Sequence, residues 1–349
     1  MKQKKTIIAV CLILISLAVG VRLTFATDSS KFTNKEKVNL IIAVPAGDAV
    51  ETGTQTFKEL CEAYSDGTIT IDIFGNNLLG DDKVVISGAQ VGDIDIAVSS
   101  TSPIANMYQD FYLFDAAYLF LNTDEVYDVG FDGETGRSIL AGLDKLGLKG
   151  LSWWENGFRV LGNSIVAVTS PDQLKGMKLR TMENKLHIRA WKALGANPTP
   201  MAFTEVFTAL QQGTIDGQEN SIGQIVSNKL HEVQKYISLT DHIYTPYCVV
   251  MNLKKWNALT KEQQEIVQRA MEEATEKMLA ASQKYETEAI GIMEEAGCEV
   301  LALTDYQKLE FQQKILNAGV YDSVKTEMEH PEYFDQMMEE LERYRREKE

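Results

Sequence analysis

The sequence predicts an α/β protein of two lobes joined by a hinge, with a ligand cleft between them, and three observations carry that expectation. Strand-like apolar runs at 38–44, 68–74 and 94–98 alternate with stretches whose apolar residues fall three and four apart, the order of a parallel α/β sheet. A second α/β set occupies roughly 152–220, after which the β-type run 247–251 returns to the first sheet, so the chain crosses between the halves more than once. Thr260 and Gln263 form a capping box for a helix reaching about Ala296. At about 1.5 Å per residue it spans on the order of 50 Å, long enough to lie across two lobes.

Composition agrees. A chain of 349 residues, 44% hydrophobic and 24% charged, has the balance of a globular protein with room for two domains. The net charge of −16, Glu-rich toward the C-terminus, makes nucleic acid and anionic membrane surfaces poor partners, although arginines held locally in a cleft still bind an anion. Four cysteines, Cys11, Cys61, Cys248 and Cys298, show no CxxC and no histidine at ligand spacing, so neither a disulfide scaffold nor a metal is expected. One pair could bridge in an oxidising compartment. Lys2, Lys4 and Lys5 precede an apolar run from Ile7 to Val21, the charge-then-apolar order of a signal peptide or signal anchor over 1–26. A polar spacer fills 27–37.

The elements follow in order. The first strand ends in Pro45, Ala46 and Gly47, a helix runs to about Ser65, and 68–74 is the second strand. The stretch 78–102 gives a helix and a third strand that stops in Ser99, Ser100, Thr101 and Ser102. Ligands sit beyond the carboxyl ends of strands in open α/β sheets, so this stop and the Pro45–Gly47 loop belong beside the cleft. Residues 111–120 read as aromatic core. From Ser152 to Val168 a strand is interrupted at Asn156 and Gly157, and Glu155 and Arg159 are unusual in so apolar a run. Ser170, Pro171 and Asp172 open a helix that Gly176 stops, and 177–179 leads straight to Arg180, which therefore rides on a strand. A helix with Ile188, Trp191 and Leu194 on one side precedes Gly195.

The stretch 195–220, GANPTPMAFTEVFTALQQGTIDGQEN, organises the rest. Phe203, Val206, Phe207 and Leu210 make one apolar stripe of a helix from about Glu205 to Gln212. Residues 214–217 read as a short extended piece closing in a turn, with Gln218, Glu219 and Asn220 at its end. Residues 225–237 read as helix, and the chain from Asp305 on as charged helix.

PMAFTEVFTALQQGTIDGQEN, with LLGDD at 78–82, WENGFR at 154–159, SPDQLKGMKLRTMEN at 170–184 and HEVQKYISLTDH at 231–242, resembles the extracytoplasmic solute-binding proteins of tripartite ATP-independent periplasmic (TRAP) transporters, the DctP type. The motifs keep the family's order over roughly 38–300. The resemblance implies a periplasmic-binding-protein-like fold, with lobe I at 38–156 plus about 246–285, lobe II at 157–245 plus about 286–310, and 311–349 as a helical tail packing on both. It implies a receptor for a small organic acid that docks on a small and a large membrane subunit driven by an ion gradient.

Residue by residue, it implies that Arg180, ending KGMKLR, pairs with a ligand carboxylate, since a guanidinium presents two donors that match a carboxylate's two oxygens. Arg159 is the second arginine, in contact with the ligand or held in place by Glu219. Asn220 contacts ligand oxygens and Phe203 packs on the ligand. Asp82 stands where sialate receptors have a ligand-binding acid, His242 at a position that is structural, and Trp154 and Tyr247 are wall residues by placement. Ser99 and Ser102 replace the acid and arginine of sialate receptors, which favours a smaller hydroxylated acid such as glucuronate or galacturonate over sialate, with C4-dicarboxylates and keto acids open.

Catalysis is not expected: GxSxG, HExxH, P-loop and GxGxxG are absent, and none of the four histidines adjoins a candidate nucleophile. A tethered sensor that binds the same ligand is the remaining class.

Overall fold

From Val38 the chain builds β1 (Val38–Ala43), α1 (Asp48–Tyr64), β2 (Ile69–Phe74), α2 (Asp82–Val91) and β3 (Ile96–Ser100). The computed structural model describes residues 37–348, so the leader 1–26 and nearly all of the spacer lie outside the described residues. Residues from Asn39 on form one compact unit. β1 lies between β2 and β3, parallel to β3 with Ile42 opposite Ile96. The two aspartates of LLGDD divide the work at the start of α2: Asp81 is the N-cap, accepting the Val84 N–H, and Asp82 turns inward to the end of β3.

The aromatic stretch 111–120 is buried, its first part a 3₁₀ turn (Gln109–Asp115), and α3 (Glu134–Ala141) follows. β4 (Leu148–Asn163) is the element on which both halves are built. After it come β5 (Lys178–Thr181), α4 (Lys185–Leu194), β6 (Asn197–Pro200), the turn of helix Val206–Gln211, β7 (Gly217–Ser221), β8 (Tyr236–Leu239) and β9 (Tyr244–Asn252). Along Leu148–Phe158, β4 runs antiparallel to β9, which pairs in turn with β3. From Arg159 to Asn163 it pairs instead with β7 and β8. The register slips between Glu155 and Gly157, leaving Asn156 bulged. Gly157 sits there at φ +116°, a backbone conformation that L side chains rarely adopt, so the NG of WENGFR makes a bulge inside one continuous strand.

Two expected elements differ. Residues 214–216 are a turn and the polar run 217–221 is the strand itself, because it pairs on both sides, with β4 and β5, and is fully buried. The expected helix over 225–237 is a short helix Ile222–Ser227, a 3₁₀ turn and then β8: Lys229 at φ +57° ends the helical run, and β8 is drawn into pairing with β4 and β10 (Glu299–Ala302).

α5 (Lys261–Glu295) carries the Thr260–Gln263 capping box. It lies against α1, β4 and Ile222–Ser227. A Cβ at Gly53 of α1 would sit 2.7 Å from the Met278 Cβ, so glycine is what lets the two helices approach. The tail forms α6 (Asp305–Asn317), α7 (Val320–Glu327) and α8 (Glu332–Lys348). Phe311 and Ile315 join the core around Trp191 and Leu174, whereas Phe334, Met337 and Leu341 join the core around Phe111 and Trp153. Cys61, Cys248 and Cys298 are free and buried. Among the described residues no helix is long and apolar enough to cross a membrane.

Candidate functional site

The carboxyl ends of β1 and β3 and the strands β4, β5, β7 and β9 converge on one cavity. It is lined by Pro45, Asn77, Asp82, Ser100, Asn156, Arg159, Arg180, Met182, Phe203, Asn220, Gln224 and Tyr247. Its empty volume is about 380 Å³ including the part open to solvent, with about 30 Å³ open to the centre of a water-sized sphere, so its interior is narrow.

Arg180 on β5 is 2% exposed. Its Nε and Nη2 both donate to the Met201 carbonyl, at 3.1 and 2.8 Å, and its guanidinium carbon lies 5.7 Å from the centre of the Phe203 ring. Among the described residues no carboxylate lies within ion-pair distance of it. Burial pushes its pKa down to about 10, so it remains a cation at neutral pH. A buried cation without an anion is unfavourable until one arrives.

Arg159 on β4 is the opposite case. Its Nε donates to Glu219 Oε2 at 2.5 Å, Nη2 to Glu219 Oε1 at 3.0 Å and to the Glu219 carbonyl at 2.6 Å, and Nη1 to Asn220 Oδ1 at 2.9 Å. Four bonds leave one of the five guanidinium N–H groups, on Nη1, for the cavity. Burial disfavours the Glu219 anion, but Arg159 and the imidazoles of His187 and His242 outweigh that and hold its pKa well below the usual carboxylate range. His242 Nε2 lies 3.1 Å from Glu219 Oε2 and its Nδ1 2.8 Å from Thr240 Oγ1, a holding role. Asn220 Oδ1 is occupied by Arg159 and by the Ser221 N–H, leaving its Nδ2 without a protein partner among the described residues.

Asp82 reaches across to β3, accepting the Ser100 N–H at 2.7 Å and the Ser99 hydroxyl at 3.1 Å; burial nevertheless raises its pKa. Tyr247 and Ser100 stand opposite each other across the β3–β9 ladder and both face the cavity.

Three expected site residues do not line it. Ser99 pairs with Cys248, on the other face of the ladder from Ser100, and spends its hydroxyl on Asp82. Trp154 is fully buried against α5, its indole N–H donating to Thr275 Oγ1 at 2.9 Å. Glu219 stands behind Arg159. Conversely, Asn77, Asn156, Met182 and Gln224 line the cavity although the sequence did not mark them as site residues. Asn156 lies within WENGFR and Met182 within LRTMEN, while Asn77 follows a strand end in the left-handed conformation (φ 55°). Gln224, bonded through Nε2 to the Ala46 carbonyl at 2.7 Å, stands three residues beyond GQENS.

An α/β fold whose strand β4 passes from one set of partners to another, and a cavity there holding a cation without a counter-ion among the described residues, define a two-lobed binding protein for a small anion. The chain belongs to the DctP family, bacterial extracellular solute-binding proteins of family 7, whose pattern matches residues 42–324. It is 37% identical to the 2,3-diketo-L-gulonate-binding periplasmic protein YiaO of Escherichia coli over 77% of this chain and 81% of that one. Among solved structures it is similar to the sugar acid binding protein DctPAm of Advenella mimigardefordensis in complex with galactonate. The TM-score is 0.84 at 31% identity, covering 88% of this chain and 99% of that one. It is also similar to a TRAP periplasmic solute-binding protein of a Sulfitobacter with bound β-D-galacturonate. There the TM-score is 0.81 at 28% identity, covering 87% and 99%. The family and its solved members are substrate-binding receptors, not enzymes.

Proposed function

We propose that this chain is an extracytoplasmic receptor that closes around a sugar acid, a hexuronate such as glucuronate or galacturonate, and delivers it to the small and large membrane subunits of a TRAP transporter. The observation that carries the reading is Arg180: a buried guanidinium on a strand, facing the cavity, with no carboxylate in ion-pair distance among the described residues. A ligand carboxylate supplies the missing charge. Arg159 Nη1 and Asn220 Nδ2 offer neutral and charged donors beside it, and Asp82, Ser100, Asn156 and Tyr247 offer the polar contacts that a polyhydroxylated acid uses. The lobes are assigned as 38–156 with about 246–285, and 157–245 with about 286–310, meeting at the β4 bulge. The sugar acids held by the two solved relatives support the class. The narrow interior favours a second reading, a C4-dicarboxylate or keto acid.

The test is thermal shift and calorimetric titration of the chain from Thr27 against uronates, sialate, C4-dicarboxylates and keto acids, with Arg180→Ala alongside. A ligand that binds the folded state raises the midpoint by mass action. Expected is a uronate hit that the variant loses; a uronate hit retained by Arg180→Ala would overturn the clamp, and a succinate-only hit would select the second reading.

A further inference from the structure

Behind Arg159 and Glu219 lies a second buried polar layer, centred on His187 of α4. This imidazole is fully buried. Its Nε2 lies 3.0 Å from Asp115 Oδ1, and its Nδ1 lies 3.8 Å from Glu219 Oε1 with no hydrogen-bond partner. Asp115, at the end of the 3₁₀ turn Gln109–Asp115, also takes the Ser102 hydroxyl and the Asn184 amide, the latter at 2.6 Å; Asn184 donates in turn to the Ser102 carbonyl at 2.9 Å. The layer therefore ties the segment after β3 to α4, and α4 to β7.

The protonation state of His187 follows from its neighbours. A carboxylate oxygen only accepts, so the nitrogen facing Asp115 carries a proton. The other nitrogen faces a second carboxylate, and a bare lone pair there would be turned toward negative charge in a dry interior. Asp115 is 1% exposed and, among the described residues, has no cation in ion-pair distance except His187. A buried carboxylate needs a counter-ion, and among the described residues the carboxylate that Arg159 pairs with is that of Glu219.

We infer that His187 is an imidazolium that bridges Asp115 and Glu219 and is a positioning residue for ligand binding: it holds Glu219, which holds Arg159 against the cavity. The inference rests on the cavity being the ligand site only for its binding arm. The groups facing His187 are Asp115 and Ser102 from the β3 side, Asn184 on its own helix, Glu219 from β7, and His242 and Arg159 beyond Glu219. Burial lowers its proton affinity, but Asp115 and Glu219 outweigh burial and raise it, whereas burial leaves His242 lowered. For a histidine with a raised folded value, the bridging interaction is complete below the ordinary imidazole range and is lost as pH rises through the folded value.

Long-range nitrogen–proton NMR of the full folded chain reads the charge of each of the four imidazoles without any ligand. Spectra at pH 8 are compared for wild type, His187→Gln and His330→Gln, the last removing the exposed imidazole that pairs with Asp110. Expected is one imidazolium that persists in His330→Gln and vanishes in His187→Gln. If no imidazolium survives in His330→Gln, the inference is overturned, and that spectrum stands even should His187→Gln fail to fold. The binding arm uses galacturonate or whichever acid the panel identifies. Wild-type affinity is expected to fall about tenfold as that imidazolium deprotonates, with His187→Gln weaker by a similar factor and flat with pH. A parallel pH profile in both proteins would overturn the positioning role and leave the proposed function standing. No binding by either would count against the proposed function while the spectra still decide the charge.

Discussion

Arg180 and Arg159 are both buried guanidiniums on strands of the same sheet, and their difference lies in what answers them. Arg159 spends four of its five N–H groups on Glu219 and Asn220, whereas Arg180 leans on one carbonyl oxygen and an aromatic face. Arg180→Lys keeps the charge and loses the planar fork, so calorimetry should show a folded protein with ligand affinity reduced by one to two orders of magnitude, roughly 1.5–3 kcal/mol for a charged hydrogen bond. Asn220→Asp tests the other side. It changes almost no volume, keeps an acceptor for Arg159, and turns a carboxylate oxygen toward the incoming anion where Nδ2 now stands; affinity should fall at least tenfold while the melting midpoint without ligand stays close to wild type. At this scale the motifs were informative about which residues come to the cavity wall, as for Arg180 in KGMKLR and Asn220 in DGQEN. They were uninformative wherever the role depends on which face of a strand is presented. Ser99 and Ser100 are adjacent hydroxyls, and only the pairing of β3 with β9 sends one to the cavity and the other away.

At the scale of elements, the bulge in β4 is where the strand leaves one set of partners for another, and it carries Asn156 toward the cavity and Glu155 away from it. Glu155 accepts the Tyr127 hydroxyl, and Glu286 of α5 approaches from the other side of Gly157: a Cβ on that glycine would lie 3.4 Å from Glu286 Oε1 and 3.7 Å from Glu155 Oε1. No cation pairs with either carboxylate among the described residues. Burial, with Glu286 adding to it, pushes Glu155 up to about 7, and burial with Asp241 pushes Glu286 up to about 6. The sign is the reverse of a salt-bridged acid. Below the ordinary glutamate range both folded and unfolded chains keep the proton; as pH rises the unfolded chain releases it first, and folding loses stability until Glu155 ionises near pH 7. Glu155→Gln removes this term, so its denaturant-derived stability should exceed wild type at pH 8, by about 3 kcal/mol at most, and the two should converge by pH 4. Equal slopes between pH 5 and 8 would show that the pair is hydrated in solution. The sequence marked this place, since NG interrupts an apolar run, but read it as a break. It could not reveal that Gly157 lets the strand continue through the bulge. For the same reason the expected helix over 225–237 runs into the start of β8: these residues suit either state, and the pairing of β8 with β4 and β10, distant in sequence, decides.

On the scale of the whole molecule, the tail reaches two cores, while α5 lies along α1, β4 and Ile222–Ser227. The capping box and unbroken helical period made α5 legible, whereas β10 and the course of α6–α8 were not, because a charged amphipathic helix does not declare which surface it covers. The structure answers through a few apolar residues: Phe311 and Ile315 enter one core, Phe334, Met337 and Leu341 the other, and Arg345 fastens α8 by donating to both oxygens of Glu125 at 2.8 and 2.7 Å. Leu341 is fully buried, so Leu341→Ala should destabilise the fold by about 2–5 kcal/mol in denaturant titration. None of the cavity-lining residues belongs to its cluster. Sites without shared partners behave additively, so ligand affinity measured well below the melting midpoint should stay within about twofold of wild type. A larger change in affinity would mean that α8 does more than cover a core. Attached to one core while α6 is attached to the other, it would then set the balance between open and closed lobes, and binding would have to be described as closure against the resistance of the tail.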